Sequence, residues 1–258
     1  MTGSPNQNPS RRIMSVTLLT VLICLSGSVS NAQDNEFMPY WGKNRVKYDK
    51  FDWHIYTTGH FEIYYYPDLE DHLEMIASYA ESAYQEVSAK LRHELAFVVP
   101  LIVFKTHSEF EQQNIFPGGS PEGVGAFAEP YRNRIVLPID EDPDGLYRLV
   151  THELTHIFEF DIIPRGLISQ GIPLWVDEGL ADYLAGVWRP LDLMQVRDVA
   201  VSDNVPSMTQ FESYGGFASG RVVYNLGHAV FEFMEDRWGE EGIRIFLFGL
   251  RRSSVGRV

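Results

Sequence analysis

The chain has 258 residues, 45% of them hydrophobic, with 21 basic against 35 acidic side chains and a formal net charge of −14. That length and apolar content support a well-buried core in one domain or two intimate lobes. The acidity argues against phosphate-backbone binding, which wants basic grooves, and against docking on anionic lipid.

The first 32 residues read as a signal peptide. Arg11 and Arg12 precede an apolar run from Ile13 to Leu25, small residues follow, and Ser30-Asn31-Ala32 suits cleavage before Gln33. The run is about 13 residues long, short of the roughly 20 needed to cross a bilayer, so no stable membrane insertion is expected after cleavage. The mature chain is therefore expected to be exported, to a periplasm or the outside of a cell. The Arg-Arg pair hints at twin-arginine export, but the residues after it match poorly and ordinary secretion is the better reading. Cys24, the single cysteine, lies inside this run after Ile23, where a lipoprotein site would want a small residue. The mature chain thus offers no disulfide and no thiol nucleophile.

Residues 33–52 form a loose lead-in. The aromatic run His60 to Tyr66 before Pro67 predicts a strand. From Asp68 to Leu95, Leu73, Ile76, Ala80, Ala83, Val87 and Leu91 recur at helical spacing, with Asp68 as the expected cap. Leu101 to Phe104 reads as a buried strand, and a short helix is expected near Ser108 to Gln113. Gly123 to Glu129 and Ile135 to Leu137 suit a hairpin across Pro130 to Arg134. Leu146, Leu149, Val150, Leu154, Ile157 and Phe158 mark a mostly buried helix. Pro164, Gly166, Gly171 and Pro173 punctuate the connection to a second helical run, Leu174 to Leu184. Residues 189–216 are expected as loops with a short helix near Leu191 to Val201. Two further helices are predicted, over Phe217 to Trp238 and Ile243 to Leu250, ahead of a tail at 251–258 with little to bury.

Within the buried helix stands His152-Glu153-Leu154-Thr155-His156. Residues four apart share a helix face, close enough for both imidazoles to reach one Zn²⁺ at about 2.0 to 2.1 Å, while Glu153 flanks the metal without being a ligand. Two histidines and a glutamate on a buried face need compensation, which a metal supplies. Catalytic zinc takes three protein ligands, and Glu178, in Trp175-Val176-Asp177-Glu178-Gly179-Leu180-Ala181-Asp182-Tyr183, is the candidate third. Asp182, one turn beyond, is placed to hydrogen-bond the distal nitrogen of a zinc-bound histidine.

The pairing of His152-Glu153-x-x-His156 with Trp175-x-x-Glu178-Gly179-x-Ala181-x-Tyr183 resembles the gluzincin clan of zinc peptidases, which includes thermolysin-like and aminopeptidase-N-like enzymes. More narrowly it resembles the peptidase-MA-like domains of bacterial secreted proteins. The resemblance implies an α+β zincin-like fold over residues 53–250, with a small mixed sheet lobe at about 53–160 carrying the H-E-x-x-H helix and a helical lobe at about 161–250. It implies one zinc ion, a peptide or protein substrate, and in longer relatives a β-propeller downstream. Gly125-Ala126-Phe127-Ala128-Glu129 is similar to the clan's substrate-pairing edge strand. The position that holds the amino-terminus-binding glutamate in the aminopeptidase branch is here Ala128, and Glu129 is displaced by one residue to the other face of a strand, where a solvated strand-end acid is an equal reading. Tyr224-x-x-Gly227 resembles the segment carrying that branch's transition-state tyrosine, so Tyr224 is either an oxyanion donor or a buried aromatic.

The expected activity is zinc-dependent peptide hydrolysis. Zinc lowers the pKa of water from 15.7 to roughly 7 and polarises the carbonyl, and Glu153 serves as general base. His228 and Tyr214 are weaker donor candidates, His228 being more simply a core histidine. His54, His60, His72, His93 and His107 lack ligand spacing and read as structural or solvated. Two other readings stay open: a catalytically silent zincin acting as a binding or assembly module of the cell envelope, and a zinc hydrolase of a non-peptide substrate. Retention of Glu153 beside two ligands speaks for hydrolysis.

Overall fold

A computed structural model describes residues 49–113, 115, 124–163, 172–212 and 220–255, all within the compact unit Tyr48–Val258. The expected signal peptide, most of the lead-in, Tyr214 and the end of the expected tail lie outside the described residues.

Five strands form one mixed sheet: β1 (His54–Thr57), β2 (Phe61–Tyr65), β3 (Val99–Phe104), β4 (Phe127–Glu129) and β5 (Arg134–Pro138), in the order β1-β2-β3-β5-β4. The inner pairs β2/β3 and β3/β5 are parallel, and the outer pairs β1/β2 and β4/β5 are antiparallel. Parallel neighbours need a crossover, and helix α1 (Leu73–Leu91) supplies the one between β2 and β3. Inner strand β5 buries Ile135, Val136 and Leu137 in succession, the continuous apolar run of a strand covered on both faces. Strand β1 was not expected from the sequence. All four of its residues are exposed, so nothing alternates, and it is a strand because it pairs with β2 from Thr57↔Glu62 to His54↔Tyr65.

Helix α1 turns Ile76, Ala80, Ala83, Val87 and Leu91 into the core, a stripe at spacings of three and four. Asp68 does not cap it. A 3₁₀ turn, Pro67–His72, comes first with Tyr66 as its N-cap, because Pro67 has the fixed φ and missing N–H that suit a first helical position. The short α2 (His107–Phe110) is closed by a reciprocal capping box of Thr106 and Glu109. The central helix α3 (Pro143–Ile162) starts on Asp142, whose carboxylate accepts from the Gly145 N–H at 2.9 Å. The helical segment continues with α4 (Leu174–Leu184), α5 (Pro190–Val201), α6 (Met208–Phe211) and α7 (Gly220–Val255). Gly239, at φ 67°, breaks α7 between the two helical runs read from the sequence, and the second part continues past Leu250 through Val255.

The chain is thus α+β, of the architecture expected for a zincin-like protein. Its main buried apolar cluster runs from Phe61 in the sheet through Leu154 in α3 and Tyr183 in α4 to Leu247 in α7, so sheet and helices share one core. Helices α4 and α7 cross at Gly179 and Gly227. A Cβ on Gly227 would stand 2.4 Å from the Trp175 carbonyl oxygen and 2.7 Å from the Gly179 Cα, so only glycine permits this approach. Among the described residues no helix is long and apolar enough to cross a membrane.

Candidate metal centre

Helix α3 presents His152, Glu153 and His156 toward α4, which returns Glu178 and Asp182. Glu178 Oε2 lies 3.4 Å from His152 Nε2 and 3.5 Å from His156 Nε2. The three side chains form a group that could hold a metal ion. Two donors about 2.0 to 2.1 Å from one ion at a tetrahedral angle stand roughly 3.3 to 3.4 Å apart, so both separations fit a shared ion. The donor chemistry fits too: two imidazoles and one carboxylate, with both Nε2 atoms aimed inward.

Each ring is held from behind. His152 Nδ1 is 3.0 Å from Asp182 Oδ1, and Asp182 is itself paired with Arg221 Nη2 at 2.8 Å and Arg148 Nη2 at 3.5 Å. Arg221 also reaches Asp192 on α5 at 3.1 Å. His156 Nδ1 meets two carboxylates, Glu159 Oε2 at 2.9 Å and Asp177 Oδ1 at 3.2 Å. A carboxylate at Nδ1 fixes the tautomer that leaves the Nε2 lone pair free for a cation.

Electrostatics follow from this crowding in a buried site. Burial alone would keep the imidazoles neutral, yet Asp182 and Glu178 push His152 up to about 9, and Asp177, Glu159 and Glu178 push His156 well above its ordinary value. Burial works against ionising Glu178, but the two histidines hold its carboxyl far below the usual range. Burial raises Glu153, outweighing the attraction of His152 and His156. The same concentration of negative charge that favours protons on the rings favours a cation at Nε2.

The group opens on a cavity of about 1150 Å³, lined on one side by Val124 to Ala128 and on others by His152, Glu153, His156, Glu178, Arg221 and Tyr224. The backbone of Ala128 in β4 favours the charged form of Glu153, which lies between the histidines and the edge strand on the cavity wall. Tyr224 lines this cavity with its ring parallel to that of His152, the centroids 6.2 Å apart. Glu129 neither faces the cavity nor is solvated. It is 7% exposed, pairs with Arg134 at 2.9 Å across the hairpin and accepts from the Tyr131 N–H. His228 is a core residue, 4% exposed and stacked on Trp188 at 3.9 Å, and burial lowers its pKa to about 4. His60 and His93 are tied to Glu81 and Asp161, each at 2.6 Å, while His54 and His72 sit on the surface. Sequence reasoning missed Glu159, Asp177, Arg148 and Arg221. An acid three residues after His156, between Phe158 and Phe160 on a buried helix, was the available signal for Glu159.

Fold and site together define an α+β protein with a buried two-histidine, one-glutamate group suited to a metal ion. Among solved structures the chain is similar to native yeast LTA4 hydrolase, at 13% identity and a TM-score of 0.47, over 80% of this chain and 33% of that one. The chain spans about a third of that protein's length. No family model matches the chain, and no curated protein sequence does.

Proposed function

We propose that this protein is a secreted zinc-dependent metallopeptidase. The observation that carries the reading is the convergence of His152 Nε2 and His156 Nε2 on one oxygen of Glu178 at 3.4 and 3.5 Å, with buried Glu153 beside them at a cleft. His152, His156 and Glu178 hold the ion, and Asp182 orients His152. When bound, zinc supplies Lewis acidity, polarising a carbonyl and lowering the pKa of water from 15.7 to roughly 7. Glu153 takes the proton of the attacking water and returns it to the leaving amine, and the rise of its pKa by burial suits a group that must both accept and give. Tyr224, on the cavity wall beside His152, donates to the developing oxyanion. An extended peptide along the cavity side of β4 supplies the substrate, since edge strands accept an added strand through main-chain hydrogen bonds. Export follows from the leader-like residues 1–32.

The test is zinc content of the purified protein together with cleavage of a mixed peptide pool by wild type and Glu153→Gln. Bound zinc with cleavage that is lost in Glu153→Gln and on chelation supports the peptidase. Bound zinc without cleavage leaves a binding module or a hydrolase of another substrate, and no zinc removes the reading altogether.

A further inference from the structure

Glu159 is among the most enclosed acids of the described residues, 2% exposed, one turn beyond His156 on α3. Its Oε2 contacts His156 Nδ1 at 2.9 Å, shorter than the 3.2 Å from Asp177. Its Oε1 is buried, and Asp177 is a second polar group against the carboxyl. Its neighbours along α3, Ile157, Phe158 and Ile162, are all buried. The polar groups that Glu159 meets are His156 and the neighbouring Asp177, so its effect falls on His156.

The two histidines are also backed differently. The carboxylate behind His152 is shared with two guanidiniums, Arg148 and Arg221, which draw off its charge. No cation stands behind His156 among the described residues that contact it, and two carboxyl groups converge on its single Nδ1–H. Asp177 reaches that nitrogen from α4, so its hold depends on how α4 sits against α3. Glu159 reaches it from the same helix as the ring, at a spacing fixed by the α3 backbone.

We propose that Glu159 is a positioning residue for the metal site, holding the His156 ring in the orientation and tautomer that presents Nε2 to the cation. This rests on the metal reading above and adds to it a residue that touches neither ion nor substrate. A hydrogen-bond partner of this kind is worth 10- to 100-fold in metal affinity.

The experiment compares the full chain as wild type, Glu159→Gln and Glu159→Met, reading zinc affinity by competition with a chromophoric chelator, the visible spectrum of the Co²⁺-loaded protein, and the melting temperature in excess chelator. Gln keeps an acceptor for the Nδ1–H, and Met fills the volume without one. The expected result is zinc affinity within a few-fold of wild type for Gln and a 10- to 100-fold loss with an altered Co²⁺ spectrum for Met, whatever the metal-free melting temperature. Wild-type affinity and an unchanged Co²⁺ spectrum in Glu159→Met overturn the positioning role while leaving the metal site intact. A Met variant that melts lower without metal yet binds zinc normally assigns Glu159 to folding and also overturns it. A wild-type protein that binds no zinc takes down the metal reading, and this inference with it.

Discussion

Replacing Gly227 by alanine is the sharpest test of how α7 reaches the site. The new Cβ would stand 2.4 Å from the Trp175 carbonyl oxygen, 2.7 Å from the Gly179 Cα and 3.2 Å from the Trp175 carbonyl carbon. Unstrained contacts of this kind lie at about 3.5 to 4.0 Å, so the two backbones must part by roughly 1 Å. No rotamer can relieve a clash whose partners are all main chain. Overpacking of a core costs about 1 to 3 kcal/mol even where side chains can move, and a rigid backbone crossing belongs at the upper end, about 3 kcal/mol. For a domain of this size each kcal/mol shifts the melting temperature by about 2 to 4 °C, which predicts a fall of about 6 to 12 °C. Gly249, on the same helix, is the control, since a Cβ there meets nothing within 4 Å. Gly249→Ala should gain about 0.4 to 1 kcal/mol by restricting the unfolded chain. Thermal denaturation followed by circular dichroism, in excess chelator so that metal binding does not contribute, reads both. If Gly227→Ala melts within 2 °C of wild type, α4 and α7 do not cross at this pair and Tyr224 is not placed as described.

Zinc at 100 times its dissociation constant should stabilise the protein by about 2.7 kcal/mol, with the same gain in Glu153→Gln because that acid is no ligand; calorimetry with and without chelator checks both. Asp182→Asn keeps the shape but loses the charge between His152 and the two arginines, and should weaken zinc binding 10- to 100-fold, read by chelator competition. His228 has a folded pKa lowered from 6.5 to about 4 by burial, so it is neutral in the folded protein while the unfolded chain takes up a proton. Stability linked to it is fully present above about pH 6.5 and is lost as pH falls toward 4, by about 3 kcal/mol in all. In urea melts at pH 7.5, 5.5 and 4, His228→Phe should lose less stability than wild type across that window. Parallel pH profiles for the two would show that His228 is not buried as a neutral ring.

What could be read from the sequence was what lies within one helix or carries a spacing. His152 and His156 share a face because four residues make about one turn, and Asp182 follows Glu178 by the same rule. The stripes of α1 and α4 came from apolar recurrence alone. Pairings between elements were not legible. Arg148 and Arg221 are separated from Asp182 by 34 and 39 positions, and nothing in either neighbourhood distinguishes them from surface arginines. Asp177 beside Glu178 reads as one more acid in an acidic chain. Strand β1 has no alternation because both of its faces are exposed, so only its partner makes it a strand. The cap of the first helical segment was misplaced because Pro67, a strong initiator, outranks Asp68 one position later.

The supports of the two imidazoles also divide the site between parts of the fold. Among the described residues His156 is backed from α3 and α4, whose contact surface is part of the main core, so its position is set by the packing that folds the protein. His152 is backed by Asp182, and Asp182 is tied through Arg221 to Asp192 on α5, a helix that buries only Asp192 and Val199. Helix α5 is therefore held to α7 mainly by polar contacts: Arg221 and Asn225 on Asp192, and Asn225 on Gln195 at 2.8 Å. Asp192 and Asn225 are both buried, so these polar contacts tie α5 to α7 inside the fold while little apolar surface joins them. Through Arg221, α5 at the cleft mouth is linked to Asp182 and thence to His152, while His156 is held between α3 and α4. The site thus has one imidazole supported within α3 and α4 and one whose support extends to the helix that borders the cleft.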